Sequence, residues 1–203
     1  MCGRMNVIDD PNVQELMEEL GMPMYPANPK QQDPELKPSQ STLAIIPQDK
    51  QLNAVQAQWG IKPNWSKSLL INAKSESIAE KVTFKSAFKQ QRALIPCQGW
   101  YEWKANGDQK RKDKYLIEHA QPHTLLMAAV YYPNDNQFVT LTCEPNAHLA
   151  SVHHRMPVII NPVNAKEWVL GNPQTAESLF LSEQQNNYNA IKIAPEEPNQ
   201  SLF

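Results

Sequence analysis

The sequence predicts an α+β fold: a mostly antiparallel or mixed β-sheet forming a barrel-like core, with helices at its periphery. Short apolar or alternating segments recur along most of the chain, among them TLAII at 42–46, LLMAAVYY at 125–132 and FVTLTCE at 138–144, and such runs are strand signals. Helical periodicity is confined to a few stretches, and the links are mostly tight, which favours hairpins over long crossovers. With 203 residues, 41% hydrophobic and 20% charged, the composition is that of one soluble globular domain over residues 1–203.

Taken in order, Asp10 and Pro11 supply a cap and a first helical position, and Val13, Leu16, Met17 and Leu20 follow at helical spacing up to Gly21. The run MPMYPANPKQQDPELKP holds five prolines and little periodicity, so it reads as an ordered surface loop. Strands are expected at 42–46 and at 53–61, where Val55, Ala57, Trp59 and Ile61 alternate with polar residues and imply one buried face. LLINA at 69–73 is a further strand, after which Ser75 or Ser77 caps a helix to about Phe88 that carries Ile78, Val82 and Phe88 inward. ALIPCQGWYEWK at 93–104, the turn pair Asn106-Gly107 and KYLIEH at 114–119 read as a hairpin with a charged tip. Strands at 125–132, 138–144, 156–160 and 190–194 and helices at 145–151, 164–170 and 175–182 complete the expectation.

Several function classes are disfavoured at once. No apolar run approaches the roughly 20 residues that span a bilayer, and MCGRMNVIDD lacks the apolar centre of a secretory signal. Three cysteines, at 2, 97 and 143, form no CxxC pair and leave an odd count, which points to a reducing cytoplasm rather than a disulfide framework. No GxGxxG or GxxxxGK[ST] is present, and six Gly against 17 Pro leave little for phosphate loops. A net charge of -2 gives no global field for nucleic acid, although a local basic groove remains compatible with that sum.

Four segments carry candidate chemistry. Loss of Met1 before the small residue Cys2 leaves an α-amine and a thiol on adjacent carbons. Their ordinary pKa values, near ~8 and ~8.5, make both usable nucleophiles at neutral pH. Together they suit one reaction above others: the amine condenses with an aldehyde to an imine, and the thiol closes a five-membered thiazolidine. Taken alone, a second-position Cys reads first as an incidental residue of a frayed terminus. In Gly99-Trp100-Tyr101-Glu102-Trp103, a strand places Trp100 and Glu102 on one face and Tyr101 and Trp103 on the other. Buried there, Glu102 has a raised pKa and works as a general acid or base; solvent-facing, it is only a surface carboxylate beside core aromatics.

In His153-His154-Arg155-Met156-Pro157, adjacent histidines on an extended chain point opposite ways, so one at most faces a site and a two-His metal grip is not expected. That one is either a proton shuttle or a satisfied structural imidazole. Asn72, ending an apolar strand before Lys74 and Glu76, is an orienting hydrogen-bond donor or a helix cap.

MCGR, INAKSES, GWYEW and HRMP in this order resemble the SOS-response-associated peptidase (SRAP) family, over the chain from Cys2 to about Trp168. The resemblance implies a sensor and shield for abasic sites in single-stranded DNA. Its N-terminal Cys, exposed by autoproteolytic loss of Met1, forms a thiazolidine with the ring-opened sugar aldehyde. Carried over residue by residue, Cys2 is the crosslinking nucleophile, Asn72 holds the opened sugar, and Glu102 and His153 move protons. Arg4 and Arg155 resemble phosphate-contacting residues, and Trp59, Trp65, Lys74, Phe84 and Lys85 fall in segments like the family's DNA-contacting and base-stacking surface, a combination suited to single strands. The resemblance further implies a possible AP lyase side activity and no metal or organic cofactor; a monomer, and a cytoplasmic location that becomes nucleoid-associated on DNA, are expected beside it.

The chain departs from the family pattern in DPELKP, which lacks the usual Tyr and Asn, in Lys74 where Arg is usual, in Trp65 standing without a second Trp, and in its ending APEEPNQSLF. These departures bear on affinity and DNA-structure preference more than on chemistry. Two other readings start from the same residues: an N-terminal-Cys glutamine amidotransferase-like hydrolase, disfavoured by scant Gly and no RHRG-like stretch, and a non-covalent single-stranded DNA-binding module in which Cys2 is incidental.

Overall fold

A computed structural model describes residues 3–7, 11–23, 33–107, 112–121, 123–182 and 187–194. Cys2, the Asp10 cap, most of the proline-rich loop, the tip of the 104–113 turn and the tail from 195 lie outside the described residues. The strands are β1 (Met5–Asn6), β2 (Glu35–Leu36), β3 (Ser41–Gln48), β4 (Gln51–Trp59), β5 (Asn72–Lys74), β6 (Arg92–Cys97), β7 (Gly99–Lys104), β8 (Asp113–His119), β9 (Leu125–Tyr132), β10 (Gln137–Cys143), β11 (Met156–Pro157), β12 (Ile159–Ile160) and β13 (Tyr188–Lys192). The α-helices are α1 (Pro11–Glu19), α2 (Val82–Gln90), α3 (Ala165–Leu170) and α4 (Pro173–Ser182).

Two sheets organise the chain. The larger runs β11-β10-β4-β3-β6-β9-β12, and because β10 also pairs with β9, the strands β10, β4, β3, β6 and β9 form a ring. The β10–β4 and β10–β5 pairings are parallel and the other strand pairs antiparallel. The smaller sheet runs β13-β8-β7-β1-β2. This is the α+β, mixed-sheet class that the strand signals predict.

The β3–β4 turn has no glycine. Asp49 and Lys50 both take left-handed φ, 50° and 60°, as a two-residue hairpin turn requires. Val13, Leu16 and Met17 in α1 and Leu20 just after it are buried as the spacing predicts. Arg92, 2% exposed, uses its guanidinium as a tie: it donates to the carbonyls of Phe88 at the end of α2 (2.7 Å), of Trp168 in α3 (2.5 Å) and of Gly171. Helix C-termini present such orphan acceptors, and a cation suits them.

Three expectations need correction. Residues 93–104 are not one hairpin arm: the chain breaks at Gln98, so that β6 pairs with β9 in the larger sheet and β7 with β8 and β1 in the smaller. Gly99 makes the second half possible, since a Cβ there would sit 2.2 Å from the Ile117 carbonyl oxygen. The helix expected from Ser75 or Ser77 is two elements, a 3-10 turn at Ser75–Ser77 and then α2. Ile78 and Phe88 are buried as expected, but Val82 opens α2 and is 94% exposed, because Ala87 and Phe88 define the buried face. The 145–151 helix is only a 3-10 turn, Leu149–Ser151.

Candidate functional site

The split between β6 and β7 brings Glu102 inside. Strand alternation puts Trp100 and Glu102 on one face of β7, where they are 0% and 2% exposed. On one side of β7 lies β8. On the other, Met5 pairs with Trp100, and the Tyr101 N–H donates to the Arg4 carbonyl at 3.0 Å. The start of the described chain therefore runs antiparallel beside the strand that carries Glu102.

Oε1 of Glu102 is buried and has no hydrogen-bond partner among the described residues. Burial pushes this carboxyl up to about 7. Taking a carboxylate out of water disfavours its charged form, which is the dominant cause here. Oε2 lies 3.8 Å from Nε2 of His153, within ion-pair range but longer than a hydrogen bond. Burial moves His153 in the opposite direction, lowering its pKa. Both shifts disfavour the charged pair of a carboxylate facing an imidazolium.

The other ring nitrogen of His153 has two neighbours. Nδ1 is 3.1 Å from the Arg155 N–H and 3.1 Å from the Arg155 carbonyl oxygen. It accepts from the first when Nε2 carries the proton and donates to the second when Nδ1 does. The tight 153–155 segment thus supports either tautomer without rotating the ring, which suits a proton carrier. His154 does not point away from His153 as an extended chain requires: the rings lie 4.3 Å apart. The cause is the turn that follows Leu149–Ser151, in which the His153 N–H bonds back to Leu149 O at 3.0 Å.

Asn72 begins β5, which adds in parallel to β10 with Asn72 opposite Thr140 and Lys74 opposite Thr142. The Thr140 hydroxyl donates to Oδ1 of Asn72 at 2.6 Å. Asn72 is joined to the His153 segment through β10, because Arg155 donates to the Thr142 carbonyl at 2.6 Å and β11 pairs with the end of β10. Arg155 is 8% exposed and grips Glu76 through two parallel bonds of 2.7 and 2.8 Å. That fork holds the Glu76 carboxyl below the usual carboxylate range.

A model of the family described as SOS response associated peptidase matches residues 1–196. The chain belongs to the SRAP family. Relatives of this SRAP chain include the abasic site processing protein YoqW of Bacillus subtilis, 29% identical with 94% of this chain and 88% of that protein covered. The abasic site processing protein YedK of Escherichia coli is 31% identical over 65% of this chain and 62% of its own. Among solved structures, a phage-related protein of Bordetella bronchiseptica superposes with a TM-score of 0.75 at 25% identity, covering 96% of this chain and 95% of that one.

The other site residues expected of a SRAP chain are spread out. Arg4 pairs with Glu35 at 3.2 Å, and Glu35 also pairs with Lys114. Trp59 is 0% exposed, stacked on Phe138 with centroids 6.4 Å apart. It is a core residue rather than a surface on which a base can stack, covered by Phe138 and tied by its indole N–H to the Ile71 carbonyl. Trp65, 70% exposed, borders a groove of about 600 Å³ with Lys62, Val82 and Tyr132. Phe84 is half-buried on α2, and Lys85 and Lys74 are exposed. Arg155, expected at a phosphate, is committed to Glu76 and Thr142.

Sequence reasoning missed Glu76, Thr140 and Thr142. The two threonines had a signal: in FVTLTC they alternate with apolar residues, a polar stripe on a strand that is otherwise all core. Among the described residues no group of three or more His, Cys, Asp or Glu is placed to hold a metal, and no helix is long and apolar enough to cross a membrane.

Proposed function

We propose that this protein processes abasic sites in single-stranded DNA by capturing them covalently through Cys2, after Met1 has been removed by the protein itself. The observation that carries the reading is the buried Glu102, raised to about 7 on the strand that pairs with Met5–Asn6, with His153 facing it at 3.8 Å. Membership of the SRAP family and relatives named abasic site processing proteins support the same substrate.

The chemistry balances as a condensation. The unprotonated Cys2 amine attacks the C1′ aldehyde of the ring-opened sugar, giving a carbinolamine. Glu102 donates its proton to the departing hydroxyl, which leaves as water, and its carboxylate then takes up the proton that the nitrogen sheds, yielding a neutral imine. The Cys2 thiol then adds to the imine carbon, its proton passing to the nitrogen through His153 and Glu102, and the thiazolidine closes. A carboxyl near 7 is suited to giving and retaking a proton at neutral pH. The Asn72 amide holds the opened sugar. Without the thiol, the imine is open to β-elimination and strand cleavage, an AP lyase activity. Hydrolysis of the Met1-Cys2 peptide bond by the same groups accounts for a peptidase that needs no substrate in trans.

The test is incubation with single-stranded DNA carrying one abasic site, followed by denaturing electrophoresis. A denaturation-resistant band is expected from the wild type, and none from Cys2→Ala or with intact DNA. Absence of a band from protein shown by mass spectrometry to lack Met1 contradicts the proposal.

A further inference from the structure

We infer that Thr140 is a positioning residue for Asn72, fixing which end of the Asn72 amide meets the sugar; the inference rests on the role proposed above for Asn72. Three donors converge on the carbonyl oxygen of Ile71, the residue before Asn72. They are the Thr140 N–H at 3.1 Å, the Trp59 indole N–H at 3.0 Å and the Thr140 hydroxyl at 3.1 Å. A carbonyl oxygen has two lone pairs. The two N–H groups take them, and the hydroxyl, with a single proton, gives it to Oδ1 of Asn72 at the shorter distance of 2.6 Å.

The consequence lies in the amide. With Oδ1 held against β10, the two N–H donors of Nδ2 turn the other way, so Asn72 meets the opened sugar as a donor to its oxygens. Were the amide reversed, it would present an acceptor to the aldehyde oxygen, which can itself only accept. Thr140 is fully buried and sits in register with Asn72 across the parallel β5–β10 pair, so no backbone movement is needed to maintain the bond. Trp59 shares in the device: by occupying the Ile71 carbonyl it leaves the Thr140 hydroxyl to Asn72.

The experiment compares Thr140→Val, which keeps the shape and removes the hydroxyl, with Thr140→Ser, which keeps the hydroxyl. At saturating abasic single-stranded DNA, Thr140→Val is expected to capture roughly tenfold more slowly, the effect of one lost orienting hydrogen bond. DNA half-saturation is expected to stay within about twofold of wild type, as is the Thr140→Ser rate. In an Asn72→Ala background, Thr140→Val should add nothing, whereas a merely structural role adds its full effect.

A folded Thr140→Val that captures at the wild-type rate, or a Thr140→Ser as slow as Thr140→Val, overturns the inference, as does additivity with Asn72→Ala. Should Thr140→Val not fold, Thr140→Ala replaces it under the same criteria. If the wild type captures no DNA at all, it is the proposed function that fails. Positioning is then read from the Asn72 side-chain amide by NMR. Hydrogen exchange and shifts altered in Thr140→Val but kept in Thr140→Ser uphold it, and identical behaviour in all three proteins overturns it.

Discussion

His153 and Arg155 stand on one short segment, and each faces a glutamate, yet the two pairs are opposite in character. Arg155 and Glu76 make two parallel bonds, Glu76 is half exposed, and the carboxyl is held below its usual range. His153 and Glu102 sit 3.8 Å apart, Glu102 is 2% exposed with one oxygen lacking a partner among the described residues, and the carboxyl is raised to about 7. A pair locked by a two-bond fork spends its bonding capacity on the fold. A desolvated carboxyl with one oxygen lacking a partner among the described residues keeps that capacity for a substrate, at some cost to stability.

The comparison breaks first at Glu102. Glu102→Gln keeps the shape but cannot give up a proton as an acid, and it is expected to slow capture by about 100-fold or more, measured as single-turnover crosslinking on abasic single-stranded DNA. Next, Arg155→Ala should act mainly on the fold. Losing the guanidinium leaves the buried Thr142 carbonyl without this donor and removes the Glu76 pair, for about 2–4 kcal/mol in denaturant unfolding. Glu76→Gln, at the exposed end of that pair, should cost less than about 1 kcal/mol.

Away from both pairs, Trp65→Ala is expected to weaken single-stranded DNA binding about tenfold through lost base stacking. Its capture rate at saturating DNA should match wild type, and titration by fluorescence anisotropy separates the two. A separate effect is on stability against pH. Because burial raises the folded-state pKa of Glu102, the folded chain holds that proton more tightly than the unfolded chain does. Its contribution is therefore fully present at low pH and lost as pH rises from the usual carboxylate range through about 7. Glu102→Gln should accordingly melt higher than wild type at about pH 8, with the gap closing by about pH 5; a gap that widens on acidification would reverse the assignment.

How much of this was legible in the sequence depends on the range of the interaction. Period-two alternation placed Trp100 and Glu102 on one face, and α1 and most strands followed from local patterning. Whether that face was buried was not local: it depends on Gln98 breaking the chain so that β7 joins a second sheet. The burial of Trp59 arises the same way, since the strand pattern announces an inward face but not that Phe138 will cover it. Arg155 read as a phosphate ligand because its partner Glu76 lies 79 residues away. Thr140 and Asn72, 68 residues apart, are joined only by a parallel pairing that no short-range signal encodes. Val82 and the His153–His154 stack were misjudged for a simpler reason: each sits where a regular element starts or turns, and periodicity does not reach there.

The most direct test of covalent capture through Cys2 is to digest the crosslinked complex with trypsin and nuclease and weigh the adduct. The mass expected is that of the Cys2–Arg4 peptide plus the sugar remnant minus one water, with Met1 absent. An adduct on a lysine, on a peptide still carrying Met1, or on no peptide at all would contradict it.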